Sequence, residues 1–175
     1  MRNILMILVV VAIAMTSCDN DKQVLSNSFD SLQKESDSLL QAHTALKNSH
    51  STNMSAYTAT TETMAGKTFQ DSTLLATLAA QEVVLKNHDA QIAKVEQLLN
   101  GHQELKANFP NLTPEEMQAQ IDAMTADLEE IKTTQITLSE ANVTLGQELA
   151  QINEEFKKQE LTAEVKQDVK QQAKQ

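Results

Sequence analysis

The residues best suited to chemistry in this sequence are four histidines, His43, His50, His88 and His102. Imidazole is the side chain that titrates near neutral pH and the commonest metal ligand. The spacing argues against both uses. His43 and His50 stand seven residues apart, two helical turns or about 10 Å along an axis. Two ligands on one helix need a separation of three or four. Each histidine falls where an apolar residue would continue a seven-residue repeat, so they read as polar interruptions of a helix seam. The Glu-Glu pairs at 115–116, 129–130 and 154–155 point to different sides of a helix and read as solvated faces. No Gly-rich phosphate loop, zinc-ligand spacing or Ser/His/Asp arrangement is legible. The expectation is a chain with no catalytic residue, no cofactor and no metal, and hence no enzyme.

The remaining reactive group is Cys18, the one cysteine of the chain. It ends a segment with three zones: Arg2 supplies positive charge, Ile4 to Met15 is uninterruptedly apolar, and Thr16-Ser17 are small. A membrane span needs ~20 apolar residues, so the run fits the apolar zone of a signal peptide over 1–17. Met15-Thr16-Ser17-Cys18 resembles the lipobox of bacterial lipoproteins. That resemblance implies that Cys18 is diacylated and becomes the new N-terminus. Two or more acyl chains, at ~0.8 kcal/mol per buried methylene, hold a protein stably on a membrane. Asp19-Asn20-Asp21-Lys22 then reads as an acidic linker over 18–22. It resembles the stretch that exports lipoproteins to the cell surface in one group of Gram-negative bacteria. In enteric bacteria, Asp beside the cysteine resembles an inner-membrane retention signal. Asp30-Ser31-Leu32, Asp37-Ser38-Leu39 and Asp71-Ser72-Thr73 resemble the O-glycosylation signal of the surface-exporting group, which tilts the expected location to the outer membrane.

Composition sets the class. Arg2 leaves with the leader, so 13 Lys face 24 Asp and Glu, a net charge of −11. Such a chain is repelled by phosphate backbones, which excludes nucleic acid as a partner. Four Phe, one Tyr and no Trp are few for a compact globular core. Three Gly and two Pro leave little turn chemistry, and abundant Gln, Glu, Lys, Ala and Leu favour long helices.

Apolar residues recur at alternating spacings of four and three. Leu25, Leu32, Leu39 and Leu46 form one run with Phe29; Leu74, Leu78, Leu85, Ile92, Val95 and Leu99 a second; Met117 to Phe156 a third. Narrow seven-residue stripes are buried by helices wrapping on one another. Asn108-Phe109-Pro110 stops a helix. Thr113-Pro114-Glu115-Glu116 restarts one, with Thr113 as N-cap and Glu116 completing a capping box. A connector this short makes its flanking helices antiparallel neighbours. Centring the turn between Asn111 and Leu112 pairs Leu85 with Leu138, Ile92 with Ile131 and Val95 with Leu128. It also pairs Gln81 with Asn142 and His88 with Gln135. The Ser/Thr-rich stretch 48–73 is weaker helix, and Gly66 offers a break.

The predicted class is therefore all-α: a long antiparallel coiled-coil hairpin or a three-helix bundle over 23–172. The expected helices run near 23–65, 72–108 and 114–170, with a tail at 173–175. The layout resembles small helical envelope lipoproteins such as the murein lipoprotein, which implies a lipid-anchored spacer or adaptor. That family ends in a lysine linked to peptidoglycan; here Gln175 follows Lys174, so no covalent link is expected. The expected partners are the membrane, through the lipid, and another helical protein or a second copy. The alternative is a helical carrier or sensor of an apolar ligand, pH or metal.

Overall fold

The computed structural model describes residues 18–65, 67 and 71–172, with side chains from residue 21 onward except 167–171. The leader 1–17, Gly66 and the tail 173–175 lie outside them. The described chain is all-α: α1 spans Cys18–Ala65, α2 Ser72–Asn108 and α3 Pro114–Gln172, with a short 3-10 turn at Phe109–Asn111. At 1.5 Å per residue, the 59 residues of α3 reach about 88 Å. No described helix is long and apolar enough to cross a membrane.

Each helix end has a local cause. Asp71 caps α2, its Oδ1 accepting from the backbone N–H of Thr73 (2.7 Å) and Leu74 (3.2 Å). Thr113 and Glu116 form the reciprocal box: Thr113 N donates to Glu116 Oε2 (2.8 Å), and Glu116 N donates to Thr113 Oγ1 (3.3 Å). Two orphan donors of α3 are thereby satisfied. The Ser/Thr-rich end of α1 stays helical because its hydroxyls bond back to carbonyls one turn earlier. Thr52, Ser55, Thr58, Thr60, Thr61 and Thr63 all do this, a local satisfaction that mid-helix hydroxyls commonly adopt. At the other end α1 begins at Cys18, so residues 18–22 are helical rather than the expected linker. Asp21 suits the positive end of a helix dipole, and Lys22 Nζ donates to Leu112 O at 3.2 Å.

The helices lie side by side, α2 antiparallel to α1 and α3. Layers of three side chains, one from each helix, mark the register. Phe29, Phe109 and Ile121 share one cluster; Leu39, Leu99 and Ile131 another; Leu46, Ile92 and Leu138 a third. Met64, Leu74 and Phe156 close the far end.

This register corrects the pairing expected from the connector. Ile92 clusters with Leu138 rather than Ile131, and Leu85 with Leu145 rather than Leu138. Val95 and Leu128 fall in separate clusters. His88 faces Asn142 instead of Gln135, and Gln81 donates to Glu148 at 2.6 Å instead of meeting Asn142. The helices are offset by one heptad. The connector itself lies where it was expected: α2 ends at Asn108, Phe109 keeps helical angles (φ −52°, ψ −43°), and the chain reverses at Leu112 (φ −78°, ψ 156°). The register differs because the polar layers are completed by α1, whose side chains a two-helix argument leaves out. Cysteines at Ile92 and Leu138 are accordingly expected to oxidise to an intramolecular disulfide faster than cysteines at Ile92 and Ile131. The comparison uses a Cys18→Ser background and is read on non-reducing gels. The reverse order would restore the connector-based register.

Candidate functional site

The inner face of α1 is unusual in being mostly polar. Beside Leu25, Phe29, Leu46 and Met64 it buries Gln33, Ser36, His43, His50, Asn53 and Thr60. Leu32 and Leu39 of the expected leucine stripe are only half-buried. The opposing helices answer with buried Gln81, His88, His102, Gln135 and Asn142. Polar groups removed from water must find hydrogen bonds or cost free energy, and most of these do. Asn53 Nδ2 donates to Asn142 O at 2.8 Å, Asn153 Nδ2 to Thr60 Oγ1 at 2.8 Å, and Gln135 Nε2 to Leu39 O at 2.9 Å.

All four histidines are buried in this interior. His102 joins three helices: Ser36 Oγ of α1 lies 3.1 Å from its Nδ1, and Asp127 Oδ2 of α3 lies 3.4 Å from its Nε2. Gln33 Nε2 donates to the His102 carbonyl at 2.7 Å. A serine, a histidine and an aspartate thus stand in line, an arrangement that sequence spacing could not reveal because each comes from a different helix. Ser36 is 0% exposed, so its hydroxyl has no approach for a substrate. The line serves to tie the helices together.

His50 Nε2 lies 2.7 Å from Asp89 Oδ1, and its ring is 5.9 Å from that of His88. His88 faces Asn142, yet His88 Nδ1 and Asn142 Nδ2 are left without a well-formed bond. His43 is 1% exposed and neither ring nitrogen has a partner. Burial pushes the pKa of His43 and His88 down. Glu96 opposes this at His43 and Lys47 reinforces it; at His88, Asn142 and Asp89 oppose and His50 reinforces. The Lys47–Glu96 pair, 2.9 Å apart, sits over His43 and holds the Glu96 carboxyl below its usual range. Among the described residues, no three His, Cys, Asp or Glu side chains converge on a point that could hold a metal ion.

The remaining candidates lie at the surface. Glu115, Glu116, Glu129, Glu130, Glu154 and Glu155 are exposed. Glu130 pairs with Lys94, Glu129 with Lys132 and Glu154 with Lys157. Ser31, Ser38 and Ser72 of the three Asp-Ser motifs are exposed as well, although Asp71 is already engaged as a helix cap. A mainly apolar groove of about 630 Å³ runs between α1 and α3, walled by Ala42, Ala45 and Ser49 on one side and by Ile136 and Val143 on the other. Cys18 is the first residue of α1; its side chain is outside those described. No protein-family model matches the chain, and no curated protein or solved structure is significantly similar to it.

Proposed function

We propose that the chain is a membrane-anchored lipoprotein of the bacterial cell envelope, a non-enzymatic coiled-coil spacer or adaptor. The observation that carries this is the position of Cys18, the one thiol, between an apolar leader and the first turn of a long helix. Acylated there, the chain stands on a membrane with α1 leading away from the anchor. Three long helices interlocked by seven-residue layers suit a rod that sets distance and presents side chains. Its buried His50, His102 and Ser36 are spent on contacts between helices, which favours structure over catalysis. The acidic segment after Cys18 and the exposed Asp-Ser motifs favour the outer membrane, on its periplasmic or surface face. Helical partners and further copies of the chain are the partners this surface fits.

The deciding experiment is Cys18→Ser in the native host, followed by membrane fractionation. The variant is expected to move entirely to the soluble fraction or to accumulate as unprocessed precursor. A processed Cys18→Ser protein that stays on the membrane like the wild type would refute the anchor. The unpartnered His43 supports a second reading, a pH-responsive helical sensor, whose expected signature is given in the Discussion.

A further inference from the structure

The end of the rod that carries Cys18 is also the end where α2 reverses into α3. Lys22, one turn into α1, donates through Nζ to Leu112 O at 3.2 Å, and Phe29 stacks on Phe109. Four residues of helix rise about 6 Å, so the connector lies close to the level of Cys18, one helix diameter to the side. Met64, Leu74 and Phe156 close the other end. The 48 residues of α1 place that end about 70 Å away. Charge separates the end from the sides. Along the sides lysines are matched by glutamates, Lys47 by Glu96, Lys86 by Glu82 and Lys94 by Glu130. With a net charge of −11, a rod lying flat is repelled by lipid phosphates. The connector differs: Ala107 to Pro114 carries no charged side chain. Pro110 and Asn111 in it are exposed, and Asp21 and Glu115 border it.

We infer that a chain attached through Cys18 stands upright, with the α2–α3 connector as a second foot on zwitterionic lipid headgroups. The uncharged connector approaches a headgroup layer without repulsion, and the outermost ammonium groups of such lipids suit the carboxylates of Asp21 and Glu115. A lone lipid would let α1 pivot. A second contact, one interaxial distance of about 8–10 Å to the side, widens the base and resists tilting. The end closed by Met64, Leu74 and Phe156 is then held about 70 Å from the bilayer, and α3 continues past it to Gln172. The inference rests on the anchor reading and gives the spacer its direction and its reach.

The chain has no tryptophan, so a single introduced one reports its own position. Asn111→Trp at the connector, Asn100→Trp partway along α2 and Glu62→Trp near the far end each replace an exposed residue. Residues 18–175, which hold every described element, are coupled through the Cys18 thiol to maleimide lipid in phosphatidylcholine vesicles carrying a dansyl headgroup acceptor. With helical spectra unchanged, energy transfer should be strongest at Asn111, weaker at Asn100 and at least fivefold weaker at Glu62 than at Asn111. Neutron reflectometry of the coupled protein on a supported phosphatidylcholine bilayer should show a layer about 70 Å thick or more, against about 20–25 Å for helices lying flat. Equal transfer at the three positions, or the thin layer, would overturn the upright rod. Transfer no stronger at Asn111 than at Asn100 would overturn the second foot. Chemical coupling puts the lipid on Cys18 whether or not the host acylates it. Failure here therefore leaves the fractionation of Cys18→Ser standing, and failure there leaves the geometry of the coupled rod untouched.

Discussion

Phe109→Ala is expected to lower the free energy of unfolding by about 3–5 kcal/mol, the range for truncating a buried aromatic ring. Phe109 is 2% exposed, and its ring stacks on Phe29 with centroids 3.8 Å apart and planes 7° from parallel. The pair closes the end of the molecule where α2 reverses into α3, and Met117 and Ile121 fill in behind it. Truncation removes contacts with α1 and α3 at once and leaves a cavity that neighbouring helices, fixed by their own layers, cannot easily fill. Urea denaturation followed by circular dichroism gives the difference. Phe29→Ala should cost a similar amount. The double variant should fall short of the sum by about 0.5–1.5 kcal/mol, the coupling typical of an aromatic pair. A loss below about 1 kcal/mol for Phe109→Ala would mean that the stack does not hold this end together.

Phe109 also shows where sequence reasoning reaches its limit. The all-α character was legible because breakers are rare and the apolar stripes of α2 and α3 are regular. The capping box at Thr113 and Glu116 was legible because its two hydrogen bonds depend on residues three apart. Register is a property of the whole assembly. Pro110 reads as a stop, and α2 does end at Asn108, but that local boundary does not decide which layers of the two helices face each other. Gln81 with Asn142 and His88 with Gln135 looked like matched polar layers because only two helices were compared. Asn142 is in fact shared between Asn53 of α1 and the face of His88. The inner face of α1 was legible at His43 and His50, which fall on the repeat, but its other polar members were hidden for a related reason. Leu25, Leu32, Leu39 and Leu46 make the more obvious stripe. The packed face instead rotates through Gln33, Ser36 and His43, because those side chains find partners, or at least space, on α2 and α3. The Ser36–His102–Asp127 line could not be found by spacing, since no local periodicity connects residues from three helices.

His43→Leu is expected to stabilise the protein at neutral pH by about 1–3 kcal/mol, the cost of a buried polar group left without a hydrogen bond. Leucine fills a similar volume and needs no partner. The same substitution should change the response to acid. Burial holds the folded-state pKa of His43 and His88 below the ordinary value, while in the unfolded chain both titrate near ~6.5. Above that pH neither state binds the protons, and the stability from burying neutral imidazole is fully present. As the pH falls below ~6.5 the unfolded chain takes up protons that the folded core resists. Stability is then lost progressively down to the folded pKa values. A second loss follows in more acid solution. There Asp71, Glu82, Glu96 and Glu116, held below the usual carboxylate range by backbone amides and lysines, finally protonate. The wild type should therefore show two steps of acid destabilisation. His43→Leu should reduce the upper step and leave the lower one, and adding His88→Leu should reduce the upper step further. Urea midpoints measured from pH 8 to pH 4 resolve the two. If the wild type is equally stable at pH 7.5 and pH 5.5, or if His43→Leu destabilises at neutral pH, the buried imidazoles are satisfied in solution and the pH-responsive reading fails.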